Sequence, residues 1–322
     1  MNFQLPLQFP KLEPSITYHD AVYLCGSCFS ANMVNYFQRH KFNVEFNSHG
    51  IMFNPMSVCN SLIEVIEGKQ YTEKDLFYLN EYWNSWNHHS DFSFLEKETC
   101  LTTINAAIRK HQAFLKESKF IFITLGSAFA YWHLEEQQYV SNNHRAPANV
   151  FRKDLLPIAT IQEQLENLNK ALLQFNPNLT IIYTISPVRH VRDGVIENNR
   201  SKARLLEAVH SLNAIYYFPS YELVVDVLRD YRFYDADLVH PNYMATQVVW
   251  EQLVQSCVHP SLYDLMKQLE QIYKAKQHRP KDIRSEAHQR FLQQHIALCS
   301  ELKMLHPELN LEDEMVYFSQ GG

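Results

Sequence analysis

The sequence predicts a three-layer α/β/α sandwich, in which helices cover both faces of a mostly parallel sheet. Short, almost continuously apolar runs recur along the chain, as expected for strands that are buried on both faces. Segments with helical spacing separate these runs, and this alternation is typical of a parallel sheet. Glycine is scarce, with 7 in 322 residues. Two of the strand-like runs nevertheless end directly at a glycine, which favours tight turns there.

The first part of the chain supplies two strands and two helices. Residues 21–25 form an apolar run that stops at Gly26, and residues 29–40 then have helical spacing. Residues 42–46 alternate between polar and apolar side chains, which predicts a second strand. Residues 55–67 begin with proline and continue with helical spacing, so we expect a helix there.

The rest of the domain continues the same alternation. A helix over 99–118 leads into an apolar strand over 119–125 that ends at Gly126. A polar loop follows, and it contains Asn142 and Asn143. The same patterns predict the remaining elements, which are a helix over 161–175, a strand over 179–185, a helix over 196–213, a strand over 214–218 and a helix over 243–257.

The chain divides into two predicted regions. Residues 1–258 form the α/β domain, and residues 259–322 form a C-terminal helical extension with dense charge and no strand signal. Within the first region, residues 71–98 are rich in aromatic residues, asparagine and histidine without a clear period. We interpret them as a lid-like insertion that faces a substrate, and an irregular surface segment is the alternative.

Composition and charge exclude several classes of protein. The 29 basic and 35 acidic residues give a net charge of −6 without a basic stripe, so we expect no nucleic-acid partner. No window of about 18 apolar residues predicts a membrane span, and the N-terminal segment lacks the pattern of an export signal. We therefore expect a cytoplasmic protein without a membrane partner. In that reducing compartment all six cysteines should be free thiols, namely Cys25, Cys28, Cys59, Cys100, Cys257 and Cys299.

Two local patterns raise the question of a metal or redox site. Cys25 and Cys28 form a C-x-x-C, but no second pair completes a zinc site, and Cys25 should be a core thiol inside its strand. His88, His89 and Asp91 resemble metal ligands in composition only, and a surface loop is the favoured interpretation. We therefore predict no metal ion and no other cofactor.

The residues directly after the predicted strands are the candidates for chemistry, because ligands bind at the carboxyl ends of the strands in an open parallel sheet. Ser27 and Cys28 follow the first strand at a helix N-terminus, which would lower a thiol pKa and stabilise an oxyanion. His240 offers a base, and Asp237 lies three residues upstream to orient it. Asp235 is a competing carboxylate. The pattern indicates a hydrolytic triad with Cys28 or Ser27 as its nucleophile.

Arg189 and His190 follow the strand over 179–185 and are candidates for substrate binding. An arginine at the end of a strand could bind an anionic group of a substrate. Alternatively, Arg189 could pair with Asp193 or Glu222 and only hold its loop in place.

Five ordered motifs resemble those of the GSCFA-domain proteins. They are GSCFS at 26–30, SPVRH at 186–190 with DG at 193–194, SKA at 201–203, YFPSYE at 217–222, and DYRFY at 230–234 through HP at 240–241. They span residues 20–255 and leave the C-terminal residues outside. The family is similar to the SGNH/GDSL hydrolases. This resemblance implies a flavodoxin-like sandwich and an activity among esterases, lipases, and carbohydrate acyl-esterases or acyltransferases.

The resemblance also implies roles for individual residues. The first SGNH block is Gly-Asp-Ser, so Cys28 takes the position of the nucleophile and Ser27 that of the aspartate. Asp237 and His240 match the Asp-x-x-His of the last block. Gly50 would be the glycine that contributes to the oxyanion hole.

One block of the SGNH pattern is only half present. Gly126 matches the glycine of the Gly-x-Asn block, but Ala128 occupies the position of the asparagine. Either Asn142, Asn143 or Arg189 supplies the missing donor, or the site no longer stabilises a tetrahedral oxyanion in this way.

The leading hypothesis is a hydrolase or acyltransferase that acts on an ester of a small molecule or carbohydrate. The first alternative is a binding module that retains a glycan or acyl ligand but has lost turnover. A thiol-redox role for the C-x-x-C pair is the third reading. No pattern in the sequence predicts the oligomeric state.

Overall fold

The computed structural model describes residues 5–321 and is built around one five-stranded sheet. The strands are β1 (Ala21–Gly26), β2 (Asn43–Phe46), β3 (Phe77–Leu79), β4 (Tyr82–Asn84), β5 (Ser118–Leu125), β6 (Phe129–His133), β7 (Gln138–Val140), β8 (Phe151–Leu155), β9 (Thr180–Ile185) and β10 (Tyr216–Tyr217). The helices are α1 (Cys28–Arg39), α2 (Pro55–Glu67), α3 (Lys97–Glu117), α4 (Ile158–Phe175), α5 (Val195–His210), α6 (Ser220–Glu222), α7 (Tyr243–Cys257), α8 (Tyr263–Lys276), α9 (Glu286–Leu305) and α10 (Glu312–Ser319).

The central sheet has the order β2-β1-β5-β9-β10, and all of its neighbouring strands are parallel. This is the strand order of flavodoxin-like doubly wound sheets, in which chain direction across the sheet reverses between the first and third strands. The predicted three-layer fold class is therefore confirmed. The crevice at this switch point lies between β1 and β5, directly beside the turn that carries the GSCFS motif.

Alternate residues of the strands point into two separate cores. On β1, Tyr23 and Cys25 lie in one core with side chains of α2, α4 and α5. Val22 and Leu24 lie in the other core with side chains of α1 and α7. The two cores explain why the central strands β1, β5 and β9 are apolar along most of their length, because both of their faces are covered.

The C-terminal helices extend the second core. Leu269 of α8, Cys299 of α9 and Phe318 of α10 belong to the same buried cluster as the residues of α1 and α7. The region read as a helical extension therefore packs against the α/β domain and is part of its core. Helix α10 was not predicted. Among the described residues, no helix combines the length and the apolar character needed to span a bilayer.

The segment after β5 differs most from its prediction, which was a polar loop. It contains a three-stranded antiparallel sheet of order β7-β6-β8. These strands are half-buried and carry charged residues such as Arg152, Lys153 and Asp154, so they lack the apolar runs that reveal the central strands. Residues Asn142 and Asn143 do lie in a loop, between β7 and β8. The 71–98 segment contains the β3–β4 hairpin.

Candidate active site

The turn after β1 is a rigid platform for the GSCFS motif. Gly26 has a φ of +134°, and a Cβ atom there would collide with the carbonyl oxygen of Thr124 on the neighbouring strand. The side-chain amide of Asn47 fixes the turn from the other side, because its Oδ1 accepts the Gly26 N–H at 2.8 Å and its Nδ2 donates to the Gly26 carbonyl at 3.2 Å. Only glycine fits this position.

Ser27 and Cys28 differ in access to solvent. Ser27 is 1% exposed, and its buried hydroxyl has no hydrogen-bond partner. Cys28, the first residue of α1, is partly exposed, whereas the other five cysteines are buried. All six cysteines are free thiols. Of the two candidate nucleophiles, Cys28 is the one that a substrate could reach.

The pKa of Cys28 differs from the expectation for a helix N-terminus. Burial raises the pKa of this thiol, and the N–H groups of Phe29 and Cys28 and the charge of Lys202 oppose the rise without cancelling it. The sequence-based expectation of a lowered pKa is therefore wrong, because partial burial outweighs the helix terminus. At neutral pH the sulfur carries its proton and needs a base to remove it.

Asp237 and His240 form a histidine–carboxylate pair in the loop before α7. The imidazole Nδ1 lies 2.7 Å from Asp237 Oδ2. Asp237 Oδ1 accepts the N–H groups of Val239 at 2.9 Å and of His240 at 3.0 Å, which fixes the plane of the carboxylate. The backbone N–H of His240, its imidazole and the Val239 N–H lower the pKa of Asp237 to about 2. The carboxylate thus stays ionised, and Nε2 of His240 remains available for proton transfer.

The histidine loop is tied to the carboxyl end of the central sheet. The Arg189 N–H, in the loop after β9, donates to the Val239 carbonyl at 3.2 Å. His240 lines a cleft of about 370 Å³ together with Asn32, which lies one helical turn after Cys28 on α1. No hydrogen bond joins the Cys28 thiol to the His240 imidazole, although both residues lie in the described part of the chain. Catalytic hydrogen bonds are often looser without substrate.

Gly50 does not have a free donor for an oxyanion. Its N–H donates to the Asn47 carbonyl at 3.0 Å and closes a turn. Its φ is +80°, and a Cβ atom would collide with the side chain of His89. The glycine therefore permits close packing of the 71–98 segment on this loop, which corrects the role that the family resemblance implied.

The backbone N–H groups at the Gly-x-Asn block are also used in hydrogen bonds within the protein. The Gly126 N–H donates to the Phe53 carbonyl at 2.7 Å. Ala128 is fully buried, and its N–H donates to Ser201 Oγ at 2.7 Å. Neither residue presents a free N–H, so this block does not supply the oxyanion donor.

Asn142, Asn143 and His190 line a second cleft, of about 280 Å³, at the same end of the sheet. The His190 ring packs against that of Phe53 in a tilted arrangement with 5.0 Å between the ring centroids, and its Nε2 has no hydrogen-bond partner. Burial, followed by the charges of Lys202, His240 and Lys153, lowers the pKa of His190 to about 4. It is therefore neutral at physiological pH.

Arg189 does not form the ion pair with Asp193 or Glu222 that was one of its two predicted roles. Its guanidinium lies 4.8 Å from the ring centroid of Tyr234. Asp193 pairs with Lys153, and Glu222 accepts the Tyr217 hydroxyl at 2.9 Å. An arginine held against an aromatic face can still present its N–H groups to a ligand.

Of the residues predicted to lie in a surface loop, His88 is buried, whereas His89 and Asp91 are partly or largely exposed. His88 is fully buried, and its ring stacks on that of His49 at 4.2 Å. His49 in turn forms a buried pair with Glu64, with 2.7 Å between Nε2 and Oε2. His89 pairs with Asp91 at 3.0 Å.

Helix α5 carries three buried polar residues that were not among the predicted site residues, namely Asn198, Ser201 and Lys202. The Lys202 side chain is 1% exposed, and its ammonium donates to the carbonyls of Gly126 and Ser186, each at 2.6 Å. These carbonyls follow β5 and β9. The sequence signal that could have revealed Lys202 is a lysine on the apolar stripe of a helix, within the SKA motif.

Two matches to family models cover most of the chain. The model described as GSCFA family matches residues 21–253. The model described as GSCFA domain protein, C-terminal domain, matches residues 269–321. The second match extends into the C-terminal helices, which the five motifs left outside the resemblance. A search of curated proteins gave no significant match.

Two solved structures are similar to the chain at low sequence identity. A carbohydrate esterase family 3 from Talaromyces cellulolyticus matches at 9% identity with a TM-score of 0.36, over 77% of this chain and 98% of the other. An acetyl xylan esterase from the rumen bacterium Butyrivibrio proteoclasticus matches at 8% identity with a TM-score of 0.38, over 78% and 66%. These TM-scores are too low to carry an argument. The first family match alone spans more than half of the chain, and the chain therefore belongs to the GSCFA family.

Proposed function

We propose that the protein is an esterase-like hydrolase that transfers an acyl group through Cys28, with His240 as the general base and Asp237 as its orienting carboxylate. The observation that carries the proposal is the Asp237–His240 pair. Its carboxylate is fixed by three hydrogen bonds, and His240 lines a cleft that α1 also borders. This is the arrangement of the base and its orienting group in a hydrolytic triad.

In the proposed first step, the Cys28 sulfur attacks the acyl carbonyl carbon while Nε2 of His240 takes the thiol proton. The tetrahedral intermediate then expels the alcohol, which receives that proton from His240, and an acyl thioester remains on Cys28. Water attacks the thioester, His240 takes a proton from the water, and the thiolate leaves and regains the proton. When an alcohol replaces the water, the same steps transfer the acyl group.

The raised pKa of Cys28 fits this sequence of steps. A thiol that is protonated at neutral pH works with a base that removes its proton during the attack, as a serine hydroxyl does. The N–H groups at the start of α1 are the donors that we assign to the oxyanion, since those of Gly50 and Gly126 are occupied. We propose small acyl esters, including acylated carbohydrates, as substrates.

The experiment is a panel of aryl and sugar acyl esters tested with the wild type, Cys28→Ala and His240→Gln. We expect each substitution to lower kcat/KM at least about 1,000-fold. The wild type should accumulate an adduct on Cys28 with the mass of the acyl group. His306 pairs with Glu308 at 3.5 Å in the C-terminal region. His306→Gln is therefore the matched control and should leave kcat/KM unchanged.

Two outcomes would contradict the proposal. Full activity of Cys28→Ala on a hydrolysed substrate would remove Cys28 as the nucleophile. Binding of an acylated sugar without turnover, at equal affinity in the wild type and His240→Gln, would favour the alternative of an inactive ligand-binding module.

A further inference from the structure

Lys202 is a buried cation without an anionic partner in the structure. Its ammonium is bound by two neutral carbonyl oxygens, and no carboxylate of residues 5–321 lies within 4.0 Å of it. Burial of an ammonium is costly unless the charge is compensated, so buried lysines normally pair with a carboxylate. A methionine would fill the same space without this cost. The lysine therefore calls for an explanation beyond packing.

The backbone places Lys202 at the base of the Cys28 turn. The Ser27 N–H donates to the Thr124 carbonyl at 3.2 Å, so the turn that carries Cys28 rests on the last residues of β5. Two residues after Thr124, just past the end of β5, the Gly126 carbonyl accepts a hydrogen bond from Lys202. Lys202 is thus anchored at the carboxyl end of β5, the strand that pairs with β1 and supports the turn that carries Cys28.

The electrostatics of the two groups are reciprocal. Burial lowers the pKa of Lys202 to about 7, and Cys28 opposes that fall. Lys202 is the charged side chain that lowers the pKa of Cys28, alongside the N–H groups of Phe29 and Cys28. Ionisation of either group therefore favours the charged form of the other.

We propose that Lys202 is a positioning residue that joins the ends of β5 and β9 and supplies the positive charge that favours an anion at the Cys28 sulfur. The ammonium stabilises negative charge on the sulfur whenever it develops during acyl transfer, and this role explains why a lysine occupies a buried site without a carboxylate. The proposal rests on Cys28 as the nucleophile of the proposed function.

The test is the rate at which iodoacetamide alkylates Cys28 between pH 6 and pH 10, measured by peptide mass spectrometry on the folded protein. We expect Lys202→Met and Lys202→Gln to lower the rate at pH 6, where Lys202 of the wild type carries its charge, at least about tenfold, equivalent to a rise of one unit in the pKa of Cys28. Because alkylation needs no substrate, the result is independent of whether the protein hydrolyses esters.

Ser201→Ala is the matched control. Ser201 is the neighbouring buried residue of α5, is 2% exposed, and anchors the loop after β5 through the Ala128 N–H. The substitution removes an anchor and keeps the charge, so the alkylation profile should stay as in the wild type. An unchanged profile in folded Lys202→Met, or an equal shift in Ser201→Ala, would overturn the electrostatic role.

A second measurement on the wild type covers the case in which the Lys202 variants do not fold. Negatively charged iodoacetate and neutral iodoacetamide are compared at Cys28 and at N-acetylcysteine amide in 0.5 M NaCl, which screens exposed charges but not buried ones. We expect the iodoacetate-to-iodoacetamide rate ratio to be at least about threefold higher at Cys28 than at the free thiol. A ratio at or below that of the free thiol would overturn the proposal.

Discussion

The two histidine–carboxylate pairs, Asp237–His240 and His49–Glu64, have the same short distance and opposite surroundings. The nitrogen–oxygen distance is 2.7 Å in both. The His240 side chain is 48% exposed, whereas that of His49 is 0% exposed. His49 also uses its second nitrogen, because Nδ1 lies 2.8 Å from Ser48 Oγ. Nε2 of His240 has no hydrogen-bond partner among the described residues.

This comparison shows that the pairing alone does not indicate catalysis. Glu64 also accepts hydrogen bonds from the Tyr71 hydroxyl at 2.7 Å and from Lys69 at 2.8 Å. Every polar atom of that pair is used inside the protein, as expected for a network that holds loops in place. A pair with one free nitrogen on a cleft can exchange a proton with a substrate. We therefore expect substitutions at the exposed pair to change activity and those at the buried pair to change stability.

The largest effect is expected for Asp237→Asn. The amide keeps the shape of the side chain but no longer stabilises the imidazolium or selects the correct tautomer, and the comparable change in a serine protease costs about 10⁴-fold. We expect a loss of this size in kcat/KM on an ester that the wild type hydrolyses. The urea midpoint should stay near that of the wild type, because both side chains are exposed. A large drop in the midpoint with little change in kcat/KM would reverse the assignment of the two pairs.

Glu64→Gln should show the opposite behaviour. It leaves His49 and Lys69 without their shared carboxylate, and loss of one partner of a buried pair is strongly destabilising. We expect a decrease of about 3 kcal/mol in the free energy of unfolding, measured by urea denaturation at pH 7. The kcat/KM of the folded fraction should change less than about threefold. A greater loss of activity than of stability would place this pair in the reaction.

The pH dependence of stability separates the pairs further. Burial alone would raise the pKa of Glu64, but hydrogen bonds and charge from His49 and Lys69 outweigh it and lower the pKa to about 2. Because the pKa of Glu64 is lower in the folded protein, the ionised carboxylate stabilises the fold above the ordinary glutamate pKa of about 4.5. This stabilisation is lost as the pH falls toward 2. The difference in unfolding free energy between the wild type and Glu64→Gln should therefore shrink from pH 5 to pH 3. A difference that stays constant would mean that folding does not lower the pKa of Glu64.

Sequence reasoning found the exposed pair because its residues are local in the chain. Asp237 and His240 are three residues apart, so a pattern read along the chain reveals them. His49 and Glu64 come from a loop and a helix, and only the fold brings them together. Asn47 and Gly26 are also distant along the chain, and the fold brings them together where β2 and β1 end. Local patterns thus revealed the exposed histidine–carboxylate pair and missed most of the contacts that depend on the fold.

The strands of the fold could be predicted where they are fully buried, and they could not be predicted where they are only partly buried. The central strands β1, β5 and β9 of the parallel sheet are buried on both faces, so each one is a run of mostly apolar residues. Strands β6, β7 and β8 are only partly buried, and their polar residues are typical of a loop. The occupied N–H of Gly50 could not be inferred at all, because a glycine in a motif does not reveal where its N–H points.

The smallest predicted effect is the loss of stability when a lysine of an ion pair is replaced. Two such lysines differ mainly in the burial of the carboxylate that each one contacts. Lys69 pairs with Glu64, which is 12% exposed, and Lys97 pairs with Glu73, which is 67% exposed. Each ammonium also lies over an aromatic ring, at 4.4 Å and 4.5 Å. Exposed pairs contribute little.

We therefore expect Lys69→Met to lower the free energy of unfolding by about 1 kcal/mol and Lys97→Met to leave it within about 0.3 kcal/mol, measured by urea denaturation. In 1 M NaCl the effect of Lys69→Met should persist in part, because a buried carboxylate is screened less than an exposed one. Equal effects of the two substitutions would mean that burial of the carboxylate does not determine the strength of the pair. The comparison between the buried and the exposed histidine pair would then need a different physical basis.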